Sequence, residues 1–270
     1  MRQQSSLARL LASVAVTALL AVGLGGCQTM SDVTGSITSK ADASPAPDAD
    51  PRRSIEVYGE RYRANPKDAD AALRYGQALR ATGQRTQAVA VLEQATIGHA
   101  GNKALLAAYG RALADNGNFQ QAFDVLTRAH TPDNPDWRIL SVQGTVLDQL
   151  GKHEEARRYY ASALKMVPEE PSVLSNLGLS YVLSRDLPQA EEVLRRAYAS
   201  TRADARVRQN LGLVVGLQGR FAEAETIVKA DLPAEEAAAN VAYLKQMLSR
   251  KDNPRSGART VPVAALSRPD

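Results

Sequence analysis

The chain has 270 residues, of which 44% are hydrophobic and 23% are charged, as in an ordinary globular protein. Aromatic residues make up only 5%, and this favours helices packed through small side chains over β-structure. The net charge of +4 comes from 33 basic and 29 acidic residues without a dominant basic block, so it gives little support for a nucleic-acid partner.

The first 26 residues predict a signal peptide. Arg2 and Arg9 give this segment a positive start, and residues 10–22 are almost entirely apolar. An apolar run of this length fits the core of a signal peptide better than a membrane span, which needs about 20 residues. The segment therefore predicts export from the cytoplasm.

Cys27, the only cysteine, ends the tetrapeptide LGGC, which resembles the bacterial lipobox. The resemblance implies that Cys27 is lipidated on sulfur and becomes the new N-terminus. Ordinary cleavage that leaves a thiol, and an uncleaved anchor, are the alternatives. Gln28 stands where an aspartate would signal retention in the inner membrane, so the resemblance implies an outer-membrane anchor with a periplasmic body. A single cysteine forms no disulfide within the chain, so stability must come from packing.

Residues 28–50 are rich in Ser, Thr, Asp, Ala and Pro and show no apolar period. This composition predicts that residues 27–50 form a lipid-bearing, disordered tether. A flexible chain of this length spans roughly 25–30 Å on average. The folded body is therefore expected to hang a short distance from the membrane.

The body carries an internal repeat of 34 residues. Glycines recur at this spacing at positions 76, 110, 144, 178 and 212. Alanines do the same at 88, 122, 156, 190 and 224, and a further glycine column at 83, 117, 151 and 219 is interrupted by Arg185. The period and columns resemble the tetratricopeptide repeat, a helix–turn–helix unit. In that register five repeats span 69–238, namely 69–102, 103–136, 137–170, 171–204 and 205–238.

The columns also predict packing within each repeat. The first glycine is expected to face the alanine of the second helix, so that Gly144 would lie against Ala156. The second glycine is expected between the helices, where a left-handed cap is needed. Arg185 in that slot predicts either mild strain or a turn of different construction.

Helical segments flank the repeats. Residues 51–68 predict an N-terminal capping helix over 52–64, and residues 239–249 predict a C-terminal cap whose helix starts at about 234. The composition of residues 250–270 indicates disorder. The predicted fold is an all-α, right-handed superhelical solenoid of about five tetratricopeptide repeats with N- and C-terminal capping helices.

No motif for catalysis is recognisable. The stretch HEEAR at 153–157 lacks the second histidine of a zinc site, and the body contains no phosphate-binding loop, nucleophile elbow or dinucleotide fingerprint. Trp137 is interpreted as a packing residue. The sequence therefore predicts a protein that is not an enzyme and takes no metal, cofactor or small-molecule substrate.

Resemblance to the repeat family implies a protein-binding groove along the first helices. The positions that face this groove in repeats four and five hold Ser175, Asn176, Leu179, Leu183, Gln209, Asn210, Leu213 and Leu217. Asparagine amides can donate to and accept from a peptide backbone, and leucines offer an apolar floor. We therefore expect the groove to hold an extended or helical apolar segment of another protein. The alternative is that the leucines pack between helices.

Three stretches go beyond a generic repeat: PDWRILSVQGTVLDQLGKHEEARRYY at 135–160, EPSVLSNLGLSYVLSRDLPQAEEVLRRA at 170–197, and the segment 207–248. They resemble the TadD lipoproteins of the Tad (tight adherence, Flp pilus) machinery. The resemblance implies a pilotin-like pilus-assembly factor for the outer-membrane secretin. The alternative is a general periplasmic adaptor lipoprotein for cell-wall enzymes or outer-membrane protein assembly.

Overall fold

The computed structural model describes residues 51–252, which form twelve α-helices and no strand. The predicted signal peptide, Cys27, the tether and most of the predicted tail lie outside the described residues. The helices are α1 Pro51–Ala64, α2 Ala69–Ala81, α3 Arg85–Gly98, α4 Lys103–Asp115, α5 Phe119–Ala129, α6 Trp137–Gln149, α7 His153–Met166, α8 Pro171–Leu183, α9 Leu187–Tyr198, α10 Ala205–Leu217, α11 Phe221–Val228 and α12 Ala234–Asp252.

The helices from α2 to α11 form five antiparallel hairpins, and each hairpin packs on the next. Polar side chains begin the first helix of each hairpin. The caps Asp68, Asn102, Asp136, Glu170 and Asp204 each accept at least one backbone N–H of the first turn, which would otherwise be unsatisfied. The fold is an all-α superhelical solenoid, as the repeat period predicts.

Helices α1 and α12 cover the two ends of the solenoid. Helix α1 packs on α2, and α12 packs on both α10 and α11. The C-terminal helix ends at Asp252, slightly beyond the predicted limit of 249. Among residues 51–252, no helix combines the length and the apolar composition that crossing a membrane requires.

The column glycines allow close packing inside each hairpin, and the side chain nearest to each comes from the residue sixteen positions later. A β-carbon added to Gly144 would lie 2.6 Å from the ring of Tyr160, a distance that real side chains do not tolerate. Tyr160 is therefore the nearest neighbour of Gly144, and the expected contact between Gly144 and Ala156 stays a prediction. A side chain one turn after the alanine on the second helix fills the space over the glycine.

The turns inside the hairpins adopt the left-handed conformation that the second glycine column predicts. Gly151 has φ +76°, and Arg185, which interrupts this column, has φ +65°. The backbone N–H of Arg185 donates to the carbonyl of Val182 as that of Gly151 donates to Asp148. The turn at Arg185 is thus built like the others and carries the strain of a non-glycine residue. Glu169, at φ +57°, is a second such residue that the sequence columns did not reveal.

Candidate protein-binding groove

The first helices of the hairpins line the inner side of the solenoid. Helices α2, α4, α6, α8 and α10 each contact the first helix of the neighbouring repeat. Within the described part of the chain, the second helices have no comparable contact with one another. Because neighbouring hairpins approach each other more closely through their first helices than through their second helices, the stack of hairpins curves towards the first helices. The first helices therefore form the concave face, and the second helices form the convex face.

All eight residues predicted to form the groove lie on the neighbouring helices α8 and α10, which contact each other. Their exposure differs. Ser175 is fully buried and Gln209 is exposed, whereas the two asparagines and the four leucines are half-buried. A ligand on this face would therefore meet Gln209 and parts of the asparagine and leucine side chains, but not Ser175.

The two asparagines also link successive repeats. The amide nitrogen of Asn176 donates to the hydroxyl of Ser141 at 3.1 Å, and that of Asn210 donates to Ser175 at 2.9 Å. Each nitrogen keeps one further hydrogen, and each amide oxygen is a potential acceptor. Sequence reasoning assigned both amides to a ligand and missed this structural use. The signal was a serine that precedes each asparagine by 35 residues.

Leu217 behaves differently from the other predicted leucines. It packs against a buried apolar cluster that includes Val182, Leu194 and Leu211. At this position the alternative that the sequence left open, packing between helices, describes what the side chain does. Leu179 and Leu213 are half-buried on α8 and α10 and keep a partly exposed apolar surface.

A small depression on the concave face extends across four of the first helices. Arg111 lies on α4, Arg138 on α6 and Arg206 on α10, and the guanidinium carbon of Arg138 lies 4.5 Å from the centroid of the Trp137 ring. The complete lining consists of Arg111, Trp137, Arg138, Ser141, Val142, Ser172, Asn176 and Arg206. Of these, Asn176 was predicted as a partner-binding residue, and the repeat pattern also places Arg111 at a groove-facing position of its repeat. This part of the concave face is basic rather than apolar.

Trp137 has two roles in the structure. Its side chain packs against the buried cluster that contains Leu140 and Tyr160, as its interpretation as a packing residue implies. Its ring also stacks with the guanidinium of Arg138 in the lining of the depression. Such stacking holds a guanidinium in a defined orientation.

A buried polar cluster joins α6, α7 and α8 around the middle repeat. The carboxylate of Asp148 accepts hydrogen bonds from the hydroxyls of Ser180 at 2.8 Å and Tyr160 at 3.0 Å, and the ring Nδ1 of His153 lies at 2.9 Å. Burial raises the pKa of Asp148 above its ordinary value, and the three hydrogen bonds offset only part of this rise. Burial also raises the pKa of Tyr160 well above its ordinary value.

This cluster contains residue types that act in catalysis, but its geometry is structural. The hydroxyl of Ser180 donates to Asp148, and Ser180 is fully buried, so a substrate does not reach this hydroxyl in the folded structure. Asp148 is also buried, and its bonds to Tyr160 and Ser180 tie α7 and α8 to α6. Within the described residues, no three His, Cys, Asp or Glu side chains come together so as to hold a metal ion.

Comparison with known proteins gives a family match. The model of the family described as tetratricopeptide repeat matches residues 49–96, 76–136 and 142–205, together more than half of the chain. No curated protein matches the chain.

Three solved structures show the same fold. A thermophilic tetratricopeptide repeat protein from Thermus thermophilus is 22% identical, with 67% of this chain and 98% of that chain covered and a TM-score of 0.56. A tetratricopeptide repeat protein from Parabacteroides merdae is 13% identical, with 75% and 78% covered and a TM-score of 0.62. The APC/C hetero-tetramer Cut9–Hcn1 is 16% identical, with 84% of this chain but 47% of that chain covered and a TM-score of 0.62. At these identities, the likeness concerns the fold alone.

Proposed function

This chain belongs to the tetratricopeptide repeat family, and we propose that it is a lipid-anchored adaptor that holds a segment of another protein on its concave face. The observation that carries the proposal is the continuous inner surface built by the five first helices. On this surface, amide, guanidinium and partly exposed leucine side chains offer polar and apolar contacts side by side. An extended segment of a partner can use both kinds of contact.

The proposed location is the periplasmic face of the outer membrane. It is supported by the lipobox-like LGGC sequence that ends at Cys27 and by the glutamine that follows. Two or three acyl chains give stable attachment where a single chain would not. Residues 28–50 would serve as the tether between the lipid and α1, so that the adaptor reaches a partner near the membrane without a fixed orientation.

The proposed process is assembly of the Tad (Flp) pilus. The resemblance to TadD lipoproteins over roughly residues 50–250 supports this assignment, and the partner is then the Tad secretin or another component of pilus assembly. In a pilotin-like role, the adaptor captures secretin subunits before they enter the outer membrane. Such a role needs no cofactor, small-molecule substrate or nucleic acid.

Deletion of the gene tests the proposal in the bacterium that carries it. We expect the deletion to lower the amount of multimeric secretin in outer-membrane fractions and to abolish surface pili. The wild-type gene should restore both, whereas a Cys27→Ser variant should be released from the outer membrane and restore less. Normal multimers in the deletion strain would exclude the pilotin role and favour the general adaptor for cell-wall enzymes or outer-membrane protein assembly.

A further inference from the structure

The apolar part of the concave face lies next to the C-terminal helix α12. Leu179 and Leu183 of α8 and Leu213 of α10 are half-buried, so each keeps a partly exposed apolar surface. The corresponding positions in the first three repeats hold mostly polar side chains, namely Gln77, Arg111, Thr145, Ala81, Asp115 and Gln149. The partly exposed leucines are therefore confined to the two repeats nearest α12, which packs on α10 and α11.

The chain continues beyond α12 with a short apolar stretch. Residues 253–270 follow Asp252, and within them residues 261–266 read VPVAAL, without a charged or polar side chain. Because Pro262 lacks a backbone N–H and disfavours a helix, the sequence predicts that this stretch binds in an extended form. Alternate side chains of an extended segment lie on one face, which would present Val261 and Val263 together.

The end of α12 is close enough for this stretch to reach the leucines. A β-carbon on Gly216 of α10 would lie 2.6 Å from Leu244 of α12, so the two helices touch at this point. Asp252 lies eight residues beyond Leu244, and Leu213 lies one turn before Gly216, so the end of α12 is within roughly 27 Å of Leu213. The chain from Asp252 to residue 261 spans up to about 30–32 Å when extended.

The segment that precedes α1 is a less suitable occupant. Residues 28–50 lead into α1, which packs on α2 of the first repeat, whereas residues 253–270 leave α12 beside the fifth repeat. The only large apolar residues in 28–50 are Met30, Val33 and Ile37, which are scattered among polar ones. Both position and chemistry therefore favour the C-terminal stretch.

We propose that residues 261–266 of the chain occupy the concave face over Leu179, Leu183 and Leu213, so that a partner has to displace them. Six extended residues span about 20 Å, enough to cross α10 and α8, whose packed axes lie about 8–10 Å apart. The short connection from α12 keeps the stretch at an effective concentration on the order of 1 mM, so even a weak apolar contact forms within one chain. This inference rests on the proposed function, because it specifies how access to the partner site is regulated.

Photocrosslinking within the lipidated full chain in lipid vesicles tests the proposal. A photoreactive phenylalanine derivative replaces Val263, and mass spectrometry locates the crosslinked residues. We expect most crosslinks to join position 263 to peptides of α8 and α10. Leu179→Asp with Leu213→Asp should lower this crosslinking at least about fivefold, because charge replaces the apolar surface. Ile97→Asp with Met166→Asp, at exposed positions on second helices, is the matched control and should leave it unchanged.

Binding of a separate peptide of residues 260–270 gives a second measurement, which decides the question even if the groove variant does not fold. Because the stretch in the chain competes, the fluorescein-labelled peptide should bind the variant Val261→Asp with Val263→Asp at least about tenfold more tightly than wild type. These substitutions change no residue of the described helices. A peptide that carries both substitutions itself is the matched control and should bind neither protein.

Three results would overturn the proposal. Crosslinks that fall mainly outside α8 and α10 would place the stretch elsewhere. Equal affinities of the peptide for wild type and for the tail variant would show that the stretch does not occupy the leucines. In a mixture of isotopically heavy and light chains, crosslinks that join heavy to light as often as like to like would assign the stretch to the groove of a second copy.

The two proposals fail separately. If crosslinking and peptide binding give negative results but deletion of the gene still removes the secretin multimers, the adaptor function stands and occupation by the chain itself is wrong. If the stretch occupies the leucines but the multimers are normal in the deletion strain, the contact within the chain stands and the pilotin role is wrong.

Discussion

Gly144 packs so closely against the ring of Tyr160 that a β-carbon at Gly144 would lie 2.6 Å from the ring. The same relationship, between a glycine and the residue sixteen positions later, occurs in every repeat. The partners of the other glycines are Leu92, Leu126, Leu194 and Val228. Close approach of the two helices in each hairpin therefore depends on the missing side chain, and this explains why glycine recurs at 34-residue spacing.

Replacing Gly144 with leucine should destabilise the protein. The new side chain would have to displace the buried ring of Tyr160, and overpacking of this kind costs about 1–3 kcal/mol. Lys152→Leu, an exposed position before α7, is the matched control and should change little. Thermal unfolding followed by circular dichroism measures both variants. Equal melting temperatures for wild type and Gly144→Leu would contradict the packing.

Replacing Arg185 with glycine should stabilise the protein. Arg185 occupies the left-handed region at φ +65°, where a residue with a β-carbon pays about 1 kcal/mol that glycine does not. The reciprocal change, Gly151→Ala, should destabilise by a similar amount, because nothing within 4 Å of that position introduces a steric effect. Urea unfolding gives both free energies. A gain in stability from Gly151→Ala, or no gain from Arg185→Gly, would contradict the view that the two turns are built alike.

Asp148 should make stability depend on pH. Burial raises its pKa above the ordinary value of 3.8, so the folded state binds the proton more readily than the unfolded state. The stabilising contribution of Asp148 to the free energy of unfolding is therefore fully present below about pH 3.8, and it is lost as the pH rises through the pKa of Asp148 in the folded state. The free-energy difference between wild type and Asp148→Asn should accordingly favour wild type most at low pH. A difference that is constant from about pH 3.5 to 7 would contradict the shift.

The combination of Leu179→Asp and Leu213→Asp should impair partner capture without unfolding the solenoid. Both leucines are half-buried on neighbouring first helices, and a carboxylate at each would replace apolar surface with charge. We expect normal helicity and membrane attachment, but fewer secretin multimers in the outer membrane. Ile97→Asp with Met166→Asp, at exposed positions on second helices, is the matched control. Normal multimers in the well-folded variant would exclude these leucines from the partner site.

The repeat period predicted the helix hairpins and the left-handed turns because both are local. A turn depends on the conformation of one residue, and the glycine column, with its exception at Arg185, marks that residue directly. The pairing of Gly144 with Ala156 could not be settled in this way. Any glycine column and any second-helix column share the same 34-residue period, so the sequence does not show where along the second helix the crossing lies.

The basic depression was missed for a related reason. Arg111 is the ninth residue of its repeat, whereas Arg138 and Arg206 are the second residues of theirs, so no single column contains all three. Only the curvature of the superhelix brings them into one lining. The lipid anchor at Cys27 depends on a short motif outside the described residues and stays a prediction.

Site-specific photocrosslinking in cells that assemble pili tests the central claim most directly, namely that the concave face holds the partner. A photoreactive phenylalanine derivative is placed at Gln209, exposed on α10, and in a second strain at Arg158, exposed on α7 of the convex face. We predict that the secretin, or another pilus-assembly protein, is captured from position 209 and not from position 158. Capture from position 158 alone, or no capture from position 209 by a protein that still supports pilus assembly, would contradict the account.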